Sequence, residues 1–292
     1  MFKSIGLQGN LRKKALLPVS SRIIDWCRRR DIRVHVEDRL YDQLPRGKRK
    51  SALVKGNLKK TELICVLGGD GFLLFTVRSL YPLKTPILPV NIGSLGFHTQ
   101  TDSRRILQTL RQFHEKGFSI DKRYLLRIDQ GKRAKRAIAF NDVLLVKETR
   151  SRMIHLEVEL DGVKLGRVAC DGMIVSTSTG STAYNLSSGG PLIHPSLPVV
   201  SIIPLCPHSL NSRAMVLPRG TRIQVRFTPQ KDREETLVCL DGQIWWPLPP
   251  GEAVVISIAP KPVFIATDCP EQYYRKIRTR FNWGIPPKSH GD

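Results

Sequence analysis

The pattern of apolar residues changes character near residue 120, and this change constrains the fold more than any other feature of the 292-residue chain. Before it, apolar runs alternate with helix-compatible segments. Residues 4–8 read as a strand, 16–30 as a helix and 32–36 as a strand. Residues 63–67 form a strand candidate that runs into Gly68-Gly69-Asp70-Gly71 and a helix over 72–80, and 87–90 is a strand entering Asn91-Ile92-Gly93-Ser94-Leu95-Gly96-Phe97. Strands that alternate with helices and end in glycine-rich loops build a doubly wound α/β sheet. Beyond the change, strand candidates at 125–129, 137–146, 154–160, 173–176, 199–204, 221–227, 236–240 and 253–259 are separated by turn signals such as Asp161-Gly162 and Asp241-Gly242. One helix, over about 181–188, interrupts them. The expected architecture is α/β + β: an N-terminal doubly wound α/β domain, a C-terminal all-β-like (β-sandwich) domain, and an aromatic-rich helical tail over 270–283.

At this length about two domains are expected. With 41% hydrophobic and 25% charged residues the chain has the composition of an ordinary soluble protein, and no run approaches the ~20 apolar residues of a membrane span. The net charge is +22, of which residues 1–60, with 17 basic and 5 acidic side chains, supply +12. Such a surface attracts anions without choosing among nucleotides, polyphosphates, nucleic acid and anionic membrane. The chain turns basic at Arg12-Lys13-Lys14 before any long apolar run, so no secretory signal is expected and the expected location is cytoplasmic. The basic stretch 44–50 reads as a solvated loop. Cys27, Cys65, Cys170, Cys206, Cys239 and Cys269 lie at least thirty residues apart and the seven histidines are scattered, which argues for free thiols and against a disulfide framework or a protein-ligated transition metal.

Three segments carry candidate chemistry. Gly68-Gly69-Asp70-Gly71 stands at a strand-to-helix junction, where glycines let phosphate oxygens approach backbone N–H groups and the helix dipole favours anions. Asp70 is awkward there, because a carboxylate repels phosphate unless a metal ion neutralises it or it takes a proton from a hydroxyl nucleophile. The competing reading makes Asp70 a turn or helix-cap residue. Ser176-Thr177-Ser178-Thr179-Gly180-Ser181-Thr182-Ala183-Tyr184-Asn185 offers hydroxyls and close backbone approach after a strand, yet is no Walker loop, since it lacks Gly-Lys-Ser/Thr; it also reads as a hydroxyl-capped turn. Asn141-Asp142 places two polar residues in an apolar run, which costs stability unless they meet a partner such as a ribose diol or an adenine edge; the bland alternative is an edge-strand turn.

In this order the segments resemble those of the NAD kinases, specifically the bacterial ones, over nearly the full length. Gly68–Gly71, Asn91–Phe97 and Thr179–Tyr184 match family motifs, as do Ser188-Gly189-Gly190-Pro191, Pro207-His208-Ser209-Leu210 with Arg213 close behind, and Asp241-Gly242-Gln243. The resemblance implies a phosphotransferase with an alcohol acceptor, which moves the γ-phosphoryl group of ATP to the 2′-hydroxyl of the adenosine ribose of NAD to give NADP. It implies Asp70 as the base or orienting group, Gly68 and Gly69 as the phosphate-binding loop, and Gly71 beside the hydroxyl. Phe97 would lie against adenine, Asn141 and Asp142 would hold hydroxyls, Asp171 would face the nicotinamide half, and Thr182, Ala183, Tyr184 and Ser187 would line the NAD pocket. Mg²⁺ or another divalent cation would come with ATP rather than sit in a protein cage. The implied division is an α/β domain over 1–100, a β-rich NAD-binding domain over 101–265, and a tail over 266–292 that packs back on the first domain. Polyphosphate as donor, NADH as acceptor, and a homodimer or homotetramer stay open, and no membrane partner is expected.

Four positions depart from the family pattern: Phe72 where Thr is common, His98 for Leu, Asp142 for Glu and Ser178 for Pro. Two other readings compete. A lipid kinase of the same superfamily would carry a Gly-Thr-Gly-Asn-Asp-like segment where this chain has Asn91–Phe97. A nucleic-acid-binding module would use the charge and the runs Arg28-Arg29-Arg30 and Lys48-Arg49-Lys50, but no RNP-like aromatic motif or zinc-finger spacing supports it.

Overall fold

The computed structural model describes residues 1–49, 53–93, 96–131, 135–148, 153–209, 211–229, 235–268 and 271–284. Lys50, Ser94, Leu95, Leu210, Cys269 and Pro270, named above, lie outside the described residues. The chain divides into two compact units. The first comprises Met1–Leu73, Lys84–Asp121 and Phe264–Asp292, the second Leu74–Leu83 and Lys122–Val263.

In chain order the amino-terminal elements are β1 (Ser4–Gly9), α1 (Leu16–Arg28), β2 (Arg33–Val36), α2 (Asp38–Gln43), β3 (Leu53–Lys55), β4 (Leu63–Gly68), α3 (Asp70–Leu80), β5 (Ile87–Asn91), β6 (Thr101–Asp102), α4 (Ile106–Lys116) and β7 (Ser119–Arg123). An eight-stranded sheet runs β3-β2-β1-β4-β5, continues through β20 (Val263–Thr267) to β7, and carries β6 beside β5. The pairs β1–β2, β1–β4 and β4–β5 are parallel. Every residue of β4 and β5 is buried, as expected of a parallel sheet covered on both faces. The strand order reverses between β1 and β4, and ligands of such sheets bind beyond the carboxyl ends of the strands at that reversal. On one face α1 buries Leu16, Val19, Ile23, Ile24 and Trp26. In the described part of the 44–50 stretch Pro45, Arg46 and Gly47 are exposed, while Lys48 pairs with Asp25 at 2.6 Å and Arg49 donates to the Leu44 and Asp42 carbonyls at 2.8 and 2.5 Å.

The remaining elements are β8 (Leu126–Gln130), β9 (Lys135–Ala139), β10 (Asp142–Lys147), β11 (Ile154–Leu160), β12 (Val163–Cys170), β13 (Gly172–Thr177), α5 (Tyr184–Ser187), β14 (Val199–Leu205), β15 (Met215–Pro218), β16 (Ile223–Phe227), β17 (Thr236–Leu240), β18 (Ile244–Leu248), β19 (Ala253–Ile258), then β20 and α6 (Gln272–Phe281). The second unit is built on two antiparallel six-stranded sheets, ordered β15-β14-β13-β10-β17-β18 and β12-β11-β16-β19-β8-β9. Val143, Val175 and Val238 from the first and Leu156, Val225 and Ile256 from the second share one buried cluster, so the sheets form a β-sandwich. In β11 and β16 buried and half-buried residues alternate, the period-2 pattern of strands with one face in a core.

Three sequence readings change. The apolar run 137–146 is two strands, β9 and β10, in different sheets, because the backbone turns from one sheet to the other at Phe140-Asn141. The helix after the Gly-Gly-Asp-Gly loop begins at Asp70, not at 72. The helix read over 181–188 is a 3₁₀ turn, Thr179–Thr182, followed by the single turn of α5. Cys27, Cys65, Cys170 and Cys239 are buried free thiols and Cys206 an exposed one; burial pushes Cys65 and Cys170 up to about 12.

Candidate active site

In the first unit β4 ends at Gly68 and α3 begins at Asp70, with Gly69 alone between them. A side chain at Gly68 would stand 2.7 Å from Phe72, so the missing Cβ lets the first turn of α3 fold back over the strand end; beside Gly69 the space is open. The Asp70 carboxylate reaches across to the loop after β5 and accepts N–H bonds from Phe97 at 2.6 Å and His98 at 3.1 Å. Gly96 makes this possible, because a Cβ there would lie 2.1 Å from an Asp70 oxygen. Asp70 is therefore held in place by a neighbouring loop. The Phe97 ring packs with Phe281 and Tyr273 of α6 at centroid distances of 5.8 and 6.1 Å, and Lys276 of α6 donates to the Thr99 carbonyl at 2.8 Å.

In the second unit the turn from β9 to β10 is organised by Asp241. Its side chain is fully buried and accepts backbone N–H bonds from Phe140, Asn141 and Asp142 at 2.7–3.2 Å, while Arg78 of α3 pairs with it at 2.5 Å. Three amides drawn to one carboxylate cannot enter a strand ladder, which is why the run breaks there. Arg78 also reaches Gln243. Asp241 occupies the left-handed region, φ 50°, in the Asp241-Gly242 turn between β17 and β18. Beside it Asp142 is buried, and burial with the nearby Asp241 charge pushes its carboxyl up to about 7.

The Thr-rich segment closes onto the same corner. Thr177 donates to the Phe140 carbonyl at 2.8 Å and accepts from the Gly180 N–H at 2.9 Å. Gly180 has no room for a side chain, since its Cβ would stand 2.2 Å from the Asn141 carbonyl oxygen. Asn185 donates to the Ser181 and Pro191 carbonyls and accepts from Ser201 at 2.7 Å, tying α5 to β14. Two polar atoms here, Asn141 Oδ1 and Thr179 Oγ1, are buried without a hydrogen-bond partner among the described residues. Such atoms are rare in folded proteins.

The fold thus brings Gly68, Gly69, Asp70, Gly71 and Phe97 together in one unit, and Asn141 and Asp142 with the Thr-rich segment in the other. Thr182 and Ala183 are half-buried beyond the Gly180 contact, while Tyr184 and Ser187 are exposed on α5. Asp171 stands apart from Asn141 and Asp142. The β10–β13 register sets Asp142 opposite Ser176 and Val146 opposite Gly172, so Asp171 lies at the far end of the strand pair, about 16 Å away at ~3.3 Å per residue, where it pairs with Lys147 at 2.7 Å. Sequence reasoning treated Asp241 as turn chemistry and family motif only and did not find Arg78, which no local signal marks.

The family model described as ATP-NAD kinase N-terminal domain matches residues 5–118, and that described as ATP-NAD kinase C-terminal domain matches residues 140–267. The NAD kinase of Citrifermentans bemidjiense is 31% identical over 291 residues, covering 97% of this chain and 99% of its own. That of Nitrosomonas europaea is 31% identical over 295 residues, covering 99% and 98%. Among solved structures, yeast NADH kinase complexed with NADH superposes with a TM-score of 0.88 at 20% identity, covering 99% of this chain and 90% of that one. An NAD kinase from Archaeoglobus fulgidus in complex with ATP gives 0.73 at 22% identity, covering 96% and 98%. The class these features define is a phosphotransferase built from a glycine-loop α/β unit and a β-sandwich. The chain belongs to the NAD kinase family.

Proposed function

We propose that this chain makes NADP by moving the γ-phosphoryl group of ATP to the 2′-hydroxyl of the adenosine ribose of NAD. The observation that carries the residue assignment is the Asp70 carboxylate, fixed at the strand–helix junction by the Phe97 and His98 amides. Asp70 accepts the hydroxyl proton as the ribose oxygen bonds to the γ-phosphorus and the bond to the β–γ bridging oxygen breaks, releasing ADP. Gly69, between Gly68 and the Asp70-Gly71 start of α3, leaves room for phosphate oxygens there. Asn141, with its unpartnered Oδ1, and Asp142 take hydroxyls of the dinucleotide. Phe97 offers its ring to adenine, Thr182, Ala183, Tyr184 and Ser187 line the acceptor pocket, and Asp171 contacts the nicotinamide half.

A divalent cation suits this arrangement as a companion of the triphosphate. Each Asp70 oxygen accepts one amide hydrogen and keeps a lone pair for a hard cation or its water, and the phosphates supply the other oxygens. When bound, Mg²⁺ would neutralise phosphate charge. The α/β part is proposed to position the donor and the β-rich part the dinucleotide, in a homo-oligomeric, cytoplasmic enzyme of NADP biosynthesis. Among the described residues no helix is long and apolar enough to cross a membrane. The test incubates the purified protein with NAD, ATP and Mg²⁺ and assays NADP. Formation of NADP that persists at physiological salt supports the reading. Phosphorylation of a lipid alcohol, or steeply salt-dependent nucleic-acid binding with no NADP formed, would replace it.

A further inference from the structure

We infer that Lys13 is the cation that holds the donor triphosphate over the Gly-Gly-Asp-Gly loop, an assignment that rests on the phosphoryl-transfer reading above. The argument begins with a deficit. A triphosphate brings several negative charges to a loop whose own side chain is the Asp70 carboxylate, with no lysine of the Walker kind and with Phe72 in place of a hydroxyl. Backbone N–H groups supply only partial charge and a divalent cation offsets only part of the triphosphate's, so a side-chain cation from elsewhere in the fold would complete the neutralisation.

The sheet order places one there. Strands β1, β4 and β5 are consecutive neighbours, so β1 and β5 lie about 10 Å apart at ~4.8 Å per strand, with β4 between them. Lys13 follows β1, yet its Nζ lies 3.3 Å from where a Cβ on Gly93, two residues past β5, would stand. Lys13 therefore reaches the loop after β5, next to β4, the strand that delivers Gly68, Gly69 and Asp70. Its backbone is anchored: Asn10 donates to the Leu67 carbonyl at 2.9 Å and Lys13 to the Asn10 carbonyl at 3.0 Å, while the Gly93 N–H is held by Asn91 at 2.8 Å. The absence of a side chain at Gly93 gives the ammonium its close approach, and Gly69 leaves open space at the loop.

Lys13 is exposed, and no ion pair joins it to a carboxylate among the described residues. A compact ammonium beside the carboxyl end of β5, next to the strand that delivers the glycine loop, is the chemistry that phosphate oxygens recognise. The neighbouring Arg12 and Lys14 share the exposure and the sign of charge without the contact to Gly93, so they separate contact from long-range attraction.

The test compares Lys13→Ala, Lys13→Arg and Lys14→Ala with the unaltered protein in NADP formation, and measures magnesium ATP binding to the unliganded protein by calorimetry. Losing a charge-assisted phosphate contact should raise the KM for ATP and its Kd about 10- to 100-fold in Lys13→Ala, with the KM for NAD unchanged. Lys13→Arg should recover most of the loss, and Lys14→Ala should stay within about threefold of the unaltered protein. Unchanged ATP affinity in Lys13→Ala, or an equal loss in Lys14→Ala, overturns the assignment. If the unaltered protein forms no NADP the proposed function fails, while the calorimetry still decides whether Lys13 binds triphosphate.

Discussion

Asp70 has two acceptor oxygens and the loop after β5 uses both, so the residue proposed as base is also a fastener. Asp70→Asn retains one of those oxygens and turns an NH₂ group toward the other amide. The variant should lose about 1–3 kcal/mol of stability, seen as a fall in Tm, besides about 10²–10⁴-fold in kcat with NAD binding retained. Normal turnover with the lower Tm would leave Asp70 a fastener only. Asp142 makes a pH prediction. Its carboxyl is held at about 7 against an ordinary value near 3.8, because burial and the Asp241 charge disfavour the ionised form. The fold therefore favours the protonated acid: this contribution to stability is complete below about pH 4 and is lost as pH rises to about 7. Asp142→Asn should abolish that slope in denaturation experiments run from pH 4 to 8, and should flatten any change in the KM for NAD near pH 7. A slope that persists in the variant would assign it to another group.

At the scale of elements, one buried carboxylate holds a strand change. Asp241 lies in the turn between β17 and β18, fixes the turn between β9 and β10 through three amides, and ties α3 to both through Arg78. Removing one partner of a buried ion pair leaves the other charged and alone. Asp241→Ala should cost about 3–5 kcal/mol in denaturant unfolding and weaken NAD binding more than ATP binding, since Asn141 and Asp142 stand on the turn it organises. Asp241→Asn, which tolerates the left-handed backbone and keeps an acceptor, should cost less. Two variants with the same small loss would make the turn self-supporting. The break in the run 137–146 could not be read from its residues, because Ala137 to Val146 is apolar throughout except for Asn141-Asp142, and the carboxylate that divides it comes from about a hundred residues further on.

Over the whole molecule the net charge of +22 acts at long range, where salt screens it within ~8 Å at physiological strength. Raising ionic strength should lower kcat/KM for ATP several-fold while kcat changes little, measured by steady-state NADP formation. A parallel fall in kcat would mean that screened charges also act in the bound complex. The two-part architecture was legible because helix and strand periods differ and because glycine loops and Asp-Gly turns punctuate the chain locally. The positions of Asp70, Asn141, Asp142 and the Thr-rich segment could be named for a similar reason, since polar and glycine residues inside apolar runs stand out one by one. What they touch could not be named. That Gly96 yields its Cβ to Asp70, that Gly180 presses on Asn141, that Arg78 neutralises Asp241 and that Lys13 reaches Gly93 are all contacts between distant segments. Side-chain periodicity reports which face of an element is buried, whereas these contacts depend on which strands become neighbours, and strand order is settled by packing the whole sheet.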